Sequence, residues 1–122
     1  MAAQFLGGFF PSRVNTMIRP VIHLLLHFLI PAAVAGVFFR QNFVKAWITM
    51  VATMIIDLDH LFADPIYDPG RCSIGFHPLH QYPAIVTYAA VALWPKLRLL
   101  GIGLLIHMLL DGVDCVWMRY EN

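Results

Sequence analysis

The chain has 122 residues, of which 60% are hydrophobic and 12% are charged, whereas soluble domains average about 25% charged residues. Its formal net charge is +1, and its basic residues form no stripe, which excludes a nucleic acid as partner. The length favours one domain over residues 1–122. Because the apolar residues fall in long runs, we predict an all-α polytopic membrane bundle embedded in the lipid bilayer.

Four transmembrane helices are expected in chain order. Residues 1–19 are expected to be an interfacial segment, because Pro11 follows an apolar start that lacks the basic region of a signal peptide. Each predicted span is near the ~20 residues that cross a bilayer. Pro31 is expected to kink the first span, and Pro78 suits the first turn of the third. The predicted spans cover residues 20–39, 46–63, 78–94 and 99–118.

Four spans that alternate in direction bring the ionisable residues to one membrane face. We call the side of the N-terminus side X and the opposite side Y. Every histidine and every aspartate then lies in the X half. The ionisable residues of the Y connections are all basic, namely Arg40, Lys45, Lys96 and Arg98. Lysine and arginine are equally numerous on both sides, but the short basic Y connections favour Y as the cytoplasmic side of a bacterial inner membrane.

Two cysteines, Cys72 and Cys115, both fall on side X, and we expect them to lie near each other. If side X faces the periplasm, they can form a disulfide. If side X is cytoplasmic, they are free thiols or soft metal ligands.

The fourth span carries three ionisable residues on one face. His107, Asp111 and Asp114 follow the spacing i, i+4, i+7 within an apolar run. Hydrogen-bonded packing inside the bundle is the simpler interpretation, but ionisable groups within a membrane are costly and usually mark a functional site. We expect Asp111 to be a metal ligand. Asp114 is expected to support a ligand, to act as a general base, or to cap the helix at the interface.

The second span ends in Asp57-Leu58-Asp59-His60. Asp57 and His60 share a helix face, whereas Asp59 points away in an ideal helix. Asp59 is therefore expected to ligate from a frayed end, to orient a ligand or to act as a general base. Acidic residues are unfavourable at the negative end of the helix dipole, so a cation is the simplest compensation.

Further candidates lie in the first span and in the loop before the third. His23 and His27, at i and i+4, can bind one metal ion or form a buried hydrogen-bonded pair. His77 and His80 flank Pro78, where the third helix is expected to begin. Arg71, in the same loop, is either a clamp for a phosphate or carboxylate or an interfacial arginine.

Together these residues predict a metal site at the X face. The mixture of imidazole and carboxylate suits zinc first, with manganese or iron as alternatives, and one or two ions. We rank Asp57, His60, His107 and Asp111 first as ligands, then His80, and then His23 or His27. The full set of predicted metal ligands is His23, His27, Asp57, His60, His77, His80, His107 and Asp111, with Asp59, Asp114 and Arg71 as catalytic candidates.

The order HxxxH, DLDH, GFHPLH, HxxxD resembles that of the YdjM-like membrane-bound metal-dependent hydrolases. The resemblance extends over about residues 20–115 and is closest to compact four-helix members. Where that family usually has R-G-x-T-H-S, this chain has S-I-G-F-H-P-L-H. The resemblance implies metal-dependent hydrolysis, with a wider kinship to zinc-dependent phospholipases C. The residues that carry it are His23 or His27, Asp57, Asp59, His60, His77, His80, His107 and Asp111.

We therefore predict a membrane hydrolase that acts on an amphiphilic ester, with a phospholipid or other lipid phosphate ranked first. A b-type haem protein with two axial histidines is one alternative, but it leaves the aspartates unexplained. A metal carrier or a non-catalytic metal-binding membrane protein is the other. A carrier needs ligands along a path through the membrane, and the Y half has none. The sequence makes no prediction of the oligomeric state.

Overall fold

The computed structural model describes residues 12 to 121, with side chains described from residue 17 to residue 120. Within this part of the chain the fold is all-helical and contains no strand, as predicted. A 3₁₀-helix over Thr53–Phe62 continues directly from the second α-helix, and shorter 3₁₀ turns precede the second, third and fourth. The four α-helices are α1 (Ser12–Phe38), α2 (Phe43–Ala52), α3 (Tyr82–Leu93) and α4 (Arg98–Glu121).

Helix α1 is longer than the span predicted from residue 20. It begins at Ser12, so residues 12–19 of the predicted interfacial segment are helical, and residues 1–11 of that segment lie outside the described residues. The helix continues through Pro31, whose missing N–H weakens the hydrogen bonding of the preceding turn. The indole Nε1 of Trp47 on α2 donates a hydrogen bond to the carbonyl of Phe28 at 3.0 Å. A neighbouring helix thus contributes a donor beside the proline.

The second predicted helix is divided into two kinds of helix. It is α-helical to Ala52 and becomes a 3₁₀-helix over Thr53–Phe62. A 3₁₀-helix has 3.0 residues per turn, so Asp59 lies about 240° around the axis from Asp57 rather than about 200° as in an α-helix. Asp59 is therefore about 40° nearer to the face of Asp57 than the α-helical prediction placed it. This tighter winding lets both carboxylates approach the same site.

The third helix begins later than predicted. Pro78–His80 forms a separate 3₁₀ turn, and Gln81 is extended, with φ −78° and ψ 157°. Helix α3 begins only at Tyr82, with Pro83 in its first turn, where a missing N–H costs nothing. The predicted start at residue 78 is thus a short turn, which separates His80 from α3 and turns its side chain toward the interior.

Helix α4 packs against each of the other three helices, and small residues allow two of these contacts. A Cβ atom on Gly101 would lie 2.2 Å from the backbone nitrogen of Ala92 in α3. A Cβ atom on Gly103 would lie 2.8 Å from the Cα of Met50 in α2. Glycine at these positions therefore permits the close approach that places the next turn of α4, with His107, against its neighbours.

The interior is apolar in two clusters and polar between α1, the 3₁₀-helix and α4. The apolar clusters centre on Met50 and on Tyr88 with Leu104. Buried polar residues are Arg19, His27, Thr53, Asp59, His77, His80, His107 and Asp111. So many buried ionisable groups need one another or a ligand, because burying an isolated charge is costly.

Two stretches, Met17–Phe38 and Pro95–Tyr120, are helical, long and apolar enough to cross a membrane. Helix α3 is apolar but has only 12 residues.

Candidate metal centre

Four side chains from three parts of the fold point their ligand atoms at a common space. The Nε2 atom of His80 lies 3.3 Å from Oδ1 of Asp57 and 3.0 Å from Oδ2 of Asp111. The Nε2 atom of His107 lies 3.0 Å and 3.3 Å from the same two oxygens. The two Nε2 atoms are 3.4 Å apart. We call these four residues, Asp57, His80, His107 and Asp111, the central cluster.

These separations match those within a tetrahedral metal site. Ligand atoms at about 2.0–2.1 Å from zinc in a tetrahedron lie roughly 3.3–3.4 Å from one another. In the central cluster the separations that involve an imidazole nitrogen run from 3.0 to 3.4 Å, and all four atoms lie within 4.8 Å of one another. A divalent cation of that size therefore fits among the four atoms with small adjustments of the side chains.

The orientation of His80 is set by Asp59. The Nδ1 atom of His80 donates a hydrogen bond to Oδ2 of Asp59 at 2.9 Å, and the backbone N–H of Leu79 donates to the same oxygen at 2.9 Å. With its proton on Nδ1, the imidazole presents the lone pair of Nε2 to the central cluster. A buried carboxylate that holds a ligand histidine in this way is typical of metal sites.

The residues of the central cluster differ in their access to solvent. His80, His107 and Asp111 are buried, whereas the side chain of Asp57 is 39% exposed. The cluster is thus closed on three sides and open at Asp57.

His23 and His27 on α1 contact the other oxygen of Asp111. Their Nε2 atoms lie 3.1 Å and 3.4 Å from Oδ1 of Asp111. The Nδ1 atom of His27 donates to the backbone carbonyl of His23 at 2.8 Å, which orients the His27 ring. The two histidines of the first predicted span therefore join the same buried site as α4, through a single carboxylate.

His60 and His77 lie next to Asp59, outside the central cluster. Nδ1 of His60 lies 3.1 Å from Oδ1 of Asp59, and its Nε2 lies 3.4 Å from the hydroxyl of Ser73. The His60 and His77 rings stack, with centroids 3.7 Å apart. Burial, and secondarily the adjacent His60, lowers the pKa of His77 below its usual value, so its ring favours the neutral form. Asp59, His60 and His77 are close enough to form a metal-binding group of their own.

Asp114 and Arg71, two of the predicted catalytic residues, have partners away from the central cluster. Oδ1 of Asp114 lies 3.8 Å from Nε of Arg19, a buried arginine that also donates to the carbonyl of Pro69. Arg71 donates to the carbonyl of Ile66 at 3.0 Å, and its guanidinium lies 4.6 Å from the centre of the Phe76 ring. Asp114 thus links α4 to α1, and the contacts of Arg71 lie within the loop between the 3₁₀-helix and α3.

Cys72 and Cys115 form a disulfide, with their Cα atoms 5.0 Å apart. The prediction that these residues lie near each other is confirmed. The bond ties the loop that carries His77 to the C-terminal part of α4.

Two features of the site differ from the ranking made on the sequence. His80, rather than His60, lies with Asp57, His107 and Asp111, because the Pro78–His80 turn directs it inward. The second is Arg19, which the sequence does not single out: it is buried, and its Nε lies 3.8 Å from Oδ1 of Asp114.

The fold and this cluster define an all-helical protein whose buried histidines and aspartates can hold a metal ion. The chain belongs to a family of unknown function, DUF6122, whose model matches residues 17–118. All the predicted metal ligands lie within that range. No curated protein and no solved structure matches the chain.

Proposed function

We propose that this protein is an integral-membrane, metal-dependent hydrolase that uses zinc and cleaves an amphiphilic ester, with a phospholipid or other lipid phosphate as the first-ranked substrate. The observation that carries the proposal is the convergence of four ligand atoms within 4.8 Å of one another, with each imidazole nitrogen 3.0–3.4 Å from both carboxylate oxygens and from the other nitrogen. Two of them are carboxylate oxygens, and the His80 nitrogen presents a lone pair. Electron-rich atoms at this distance repel one another unless a cation or protons lie among them.

The donor set favours zinc and hydrolytic chemistry. Two imidazole nitrogens and two carboxylate oxygens in a tetrahedral arrangement suit zinc, and manganese and iron accept the same donors. A divalent cation held by these four residues would polarise an ester and lower the pKa of a bound water to about 7, with the water in a fifth position or in place of the exposed Asp57. The side chain of Asp57 is partly exposed, so we expect substrate to reach the metal from this side. Asp59 keeps His80 in the tautomer that binds metal.

The surface beside Asp57 favours an amphiphilic substrate. Because the 3₁₀-helix repeats every three residues, Ile55, Leu58 and Leu61 form one stripe, and all three are exposed. This stripe adjoins the face that carries Asp57 and His60. A lipid can lay its acyl chain along the apolar stripe while its polar ester reaches the metal site.

The exposed apolar surface and the helix lengths support insertion into a bilayer. Leu24, Leu29, Val37 and Phe38 of α1 are among many exposed large hydrophobic residues, a pattern that soluble monomers avoid. Helix α2 with its 3₁₀ continuation extends about 35 Å, near the thickness of a bilayer core. Helix α3 is about 18 Å long, and the Pro78–His80 turn with Gln81 adds at most about 9 Å of chain before it. We therefore propose four spans in a bacterial inner membrane.

The resemblance to the YdjM-like hydrolases also supports hydrolysis. A b-type haem is a weaker fit, because the carboxylates of Asp57 and Asp111 occupy the space around the His80 and His107 nitrogens that a porphyrin ring needs. The disulfide favours an oxidising compartment on side X, which agrees with the cytoplasmic assignment of side Y.

The test uses the full chain purified in detergent without chelators. We expect at least one zinc ion per chain by elemental analysis, and hydrolysis of phospholipid in mixed micelles that a chelator abolishes. Asp57→Asn is expected to lower metal content and to abolish hydrolysis, because it removes a ligand charge at the exposed side. Asp64→Asn, an exposed loop aspartate, is the matched control and should retain both.

A metal-free protein would contradict the proposed site. A zinc-loaded protein that hydrolyses no phospholipid or other amphiphilic ester would contradict the enzymatic function and would favour a non-catalytic metal-binding protein. A visible absorption spectrum with haem bands would instead identify the protein as a b-type haem protein.

A further inference from the structure

Asp111 presents its two carboxylate oxygens to two separate sets of histidines. Oδ2 faces His80 and His107 of the central cluster, at 3.0 and 3.3 Å. Oδ1 faces His23 and His27, at 3.1 and 3.4 Å. If Asp111 bound only the ion of the central cluster, its buried Oδ1 would face the Nε2 atoms of His23 and His27 with no ion between them.

The state of His27 shows what the second set requires. Its side chain is 3% exposed, and its Nδ1 donates to the backbone carbonyl of His23 at 2.8 Å. In the neutral ring, the proton is therefore on Nδ1 and the lone pair on Nε2. That buried Nε2 atom has no hydrogen-bond partner among the described residues, and it points at Oδ1 of Asp111. Two acceptors face each other there, and a shared cation satisfies both.

His23 completes the group. Its Nε2 atom lies within ligand distance of the same oxygen, and the two histidine rings are 4.4 Å apart at their centroids. Its side chain is 26% exposed, so the group is open at His23 as the central cluster is at Asp57. Two imidazoles one helical turn apart with a carboxylate form a typical three-residue set for a catalytic zinc ion.

We propose that His23, His27 and Oδ1 of Asp111 bind a second divalent metal ion, and that Asp111 bridges it to the ion of the central cluster. The proposal rests on the proposed function for the first ion and deepens it. The second ion would have three protein ligands and therefore an open position for water or substrate. The first would have four, so substrate would reach it in a fifth position or in place of the exposed Asp57.

A pair of ions narrows the class of substrate. Two-metal hydrolases hold their ions about 3.5–4 Å apart, a separation that one bridging carboxylate spans, and they clamp the attacking and leaving oxygens of a phosphate ester. The second site thus favours a phosphate ester over a carboxylic ester as the scissile group of the amphiphilic substrate.

The test is the zinc stoichiometry of the full chain in detergent, depleted of metal and reloaded with a zinc salt alone. We expect two equivalents in the wild type and one in His27→Ala. His23→Ala is a second variant at a partly exposed position, which protects the test against misfolding of His27→Ala. Asp114→Asn, on the same face of α4 as Asp111 and paired with Arg19, is the matched control and should keep two equivalents.

A second measurement tests whether Asp111 bridges the two ions. In protein reloaded with Mn²⁺, electron paramagnetic resonance should show an exchange-coupled pair in the wild type and an isolated ion in His27→Ala. If the wild type and His27→Ala both hold one isolated ion, the second site is refuted, and the proposed function at the central cluster stands. If the wild type holds none, both proposals fail.

Discussion

Nδ1 of His80 donates a hydrogen bond to Oδ2 of Asp59 at 2.9 Å, and both side chains are buried. This bond determines which nitrogen of His80 faces the central cluster. Asp59→Asn should weaken it, because the amide oxygen is a poorer acceptor and the amide group also admits the wrong orientation. We expect zinc affinity to fall about 10–100-fold, as is usual when such a supporting carboxylate is removed.

Competition with a coloured zinc chelator, repeated across a range of pH, measures this loss. Asp68→Asn is the matched control, since Asp68 also accepts a backbone N–H, that of Gly70 at 2.8 Å, but in an exposed loop. Equal zinc affinity in Asp59→Asn and the wild type would show that Asp59 does not position His80.

The two aspartates of α4 should respond differently to the same substitution. Asp111→Asn removes the charge that faces four histidines, so we expect loss of bound metal and of hydrolysis with little change in packing. Asp114→Asn weakens the contact with Arg19 and should keep the metal. Its cost in unfolding free energy should lie between about 1 kcal/mol, as for an exposed pair, and about 3 kcal/mol, as for a buried one.

Elemental analysis and thermal unfolding, performed on both variants, separate these effects. Full metal content in Asp111→Asn would remove Asp111 from the ligand set. Loss of metal in Asp114→Asn at unchanged stability would instead assign Asp114 to the site.

The close contact of α3 with α4 depends on Gly101. A Cβ there meets the backbone of Ala92 at 2.2 Å, which no side-chain rotation relieves. Gly101→Ala should therefore separate the helices and destabilise the protein by about 1–3 kcal/mol. Gly112, also in α4, provides the matched control. A Cβ atom there has no heavy atom within 4 Å, so Gly112→Ala should stabilise the helix by up to about 1 kcal/mol. Thermal unfolding of the two variants in the same detergent checks the opposite signs, and equal shifts would refute the close contact.

The disulfide between Cys72 and Cys115 predicts the orientation of the chain. It closes a separation of 43 residues, which in the chain-entropy model is worth about 4 kcal/mol. We expect no thiol to react with maleimide before reduction, and a lower unfolding temperature in the double serine variant.

Because disulfides persist in oxidising compartments, alkaline phosphatase fused after residue 122 should be active, which requires export. An inactive fusion together with free thiols would place side X in the cytoplasm.

Much of the helical framework and half of the site follow from local periodicity. Long apolar runs predict membrane helices, since in the hydrocarbon of a bilayer a single segment satisfies its backbone only by hydrogen bonding within itself. The spacing of four residues places His23 with His27, and His107 with Asp111, on shared faces of their helices. These relationships depend on the 3.6-residue repeat alone, so they are present in the sequence before any tertiary contact forms.

Other features depend on contacts between distant parts of the chain. The 3₁₀ winding that turns Asp59 toward His80 has no local signature, and the choice of His80 over His60 depends on how the Pro78–His80 turn meets the 3₁₀-helix. The pairing of Asp114 with Arg19, and the division of Asp111 between two sets of histidines, join residues from opposite ends of the chain. Helical periodicity determines the direction of a side chain around its own axis. The side chain it meets is decided by helix packing, in which Gly101 and Gly103 set how closely α4 approaches its neighbours.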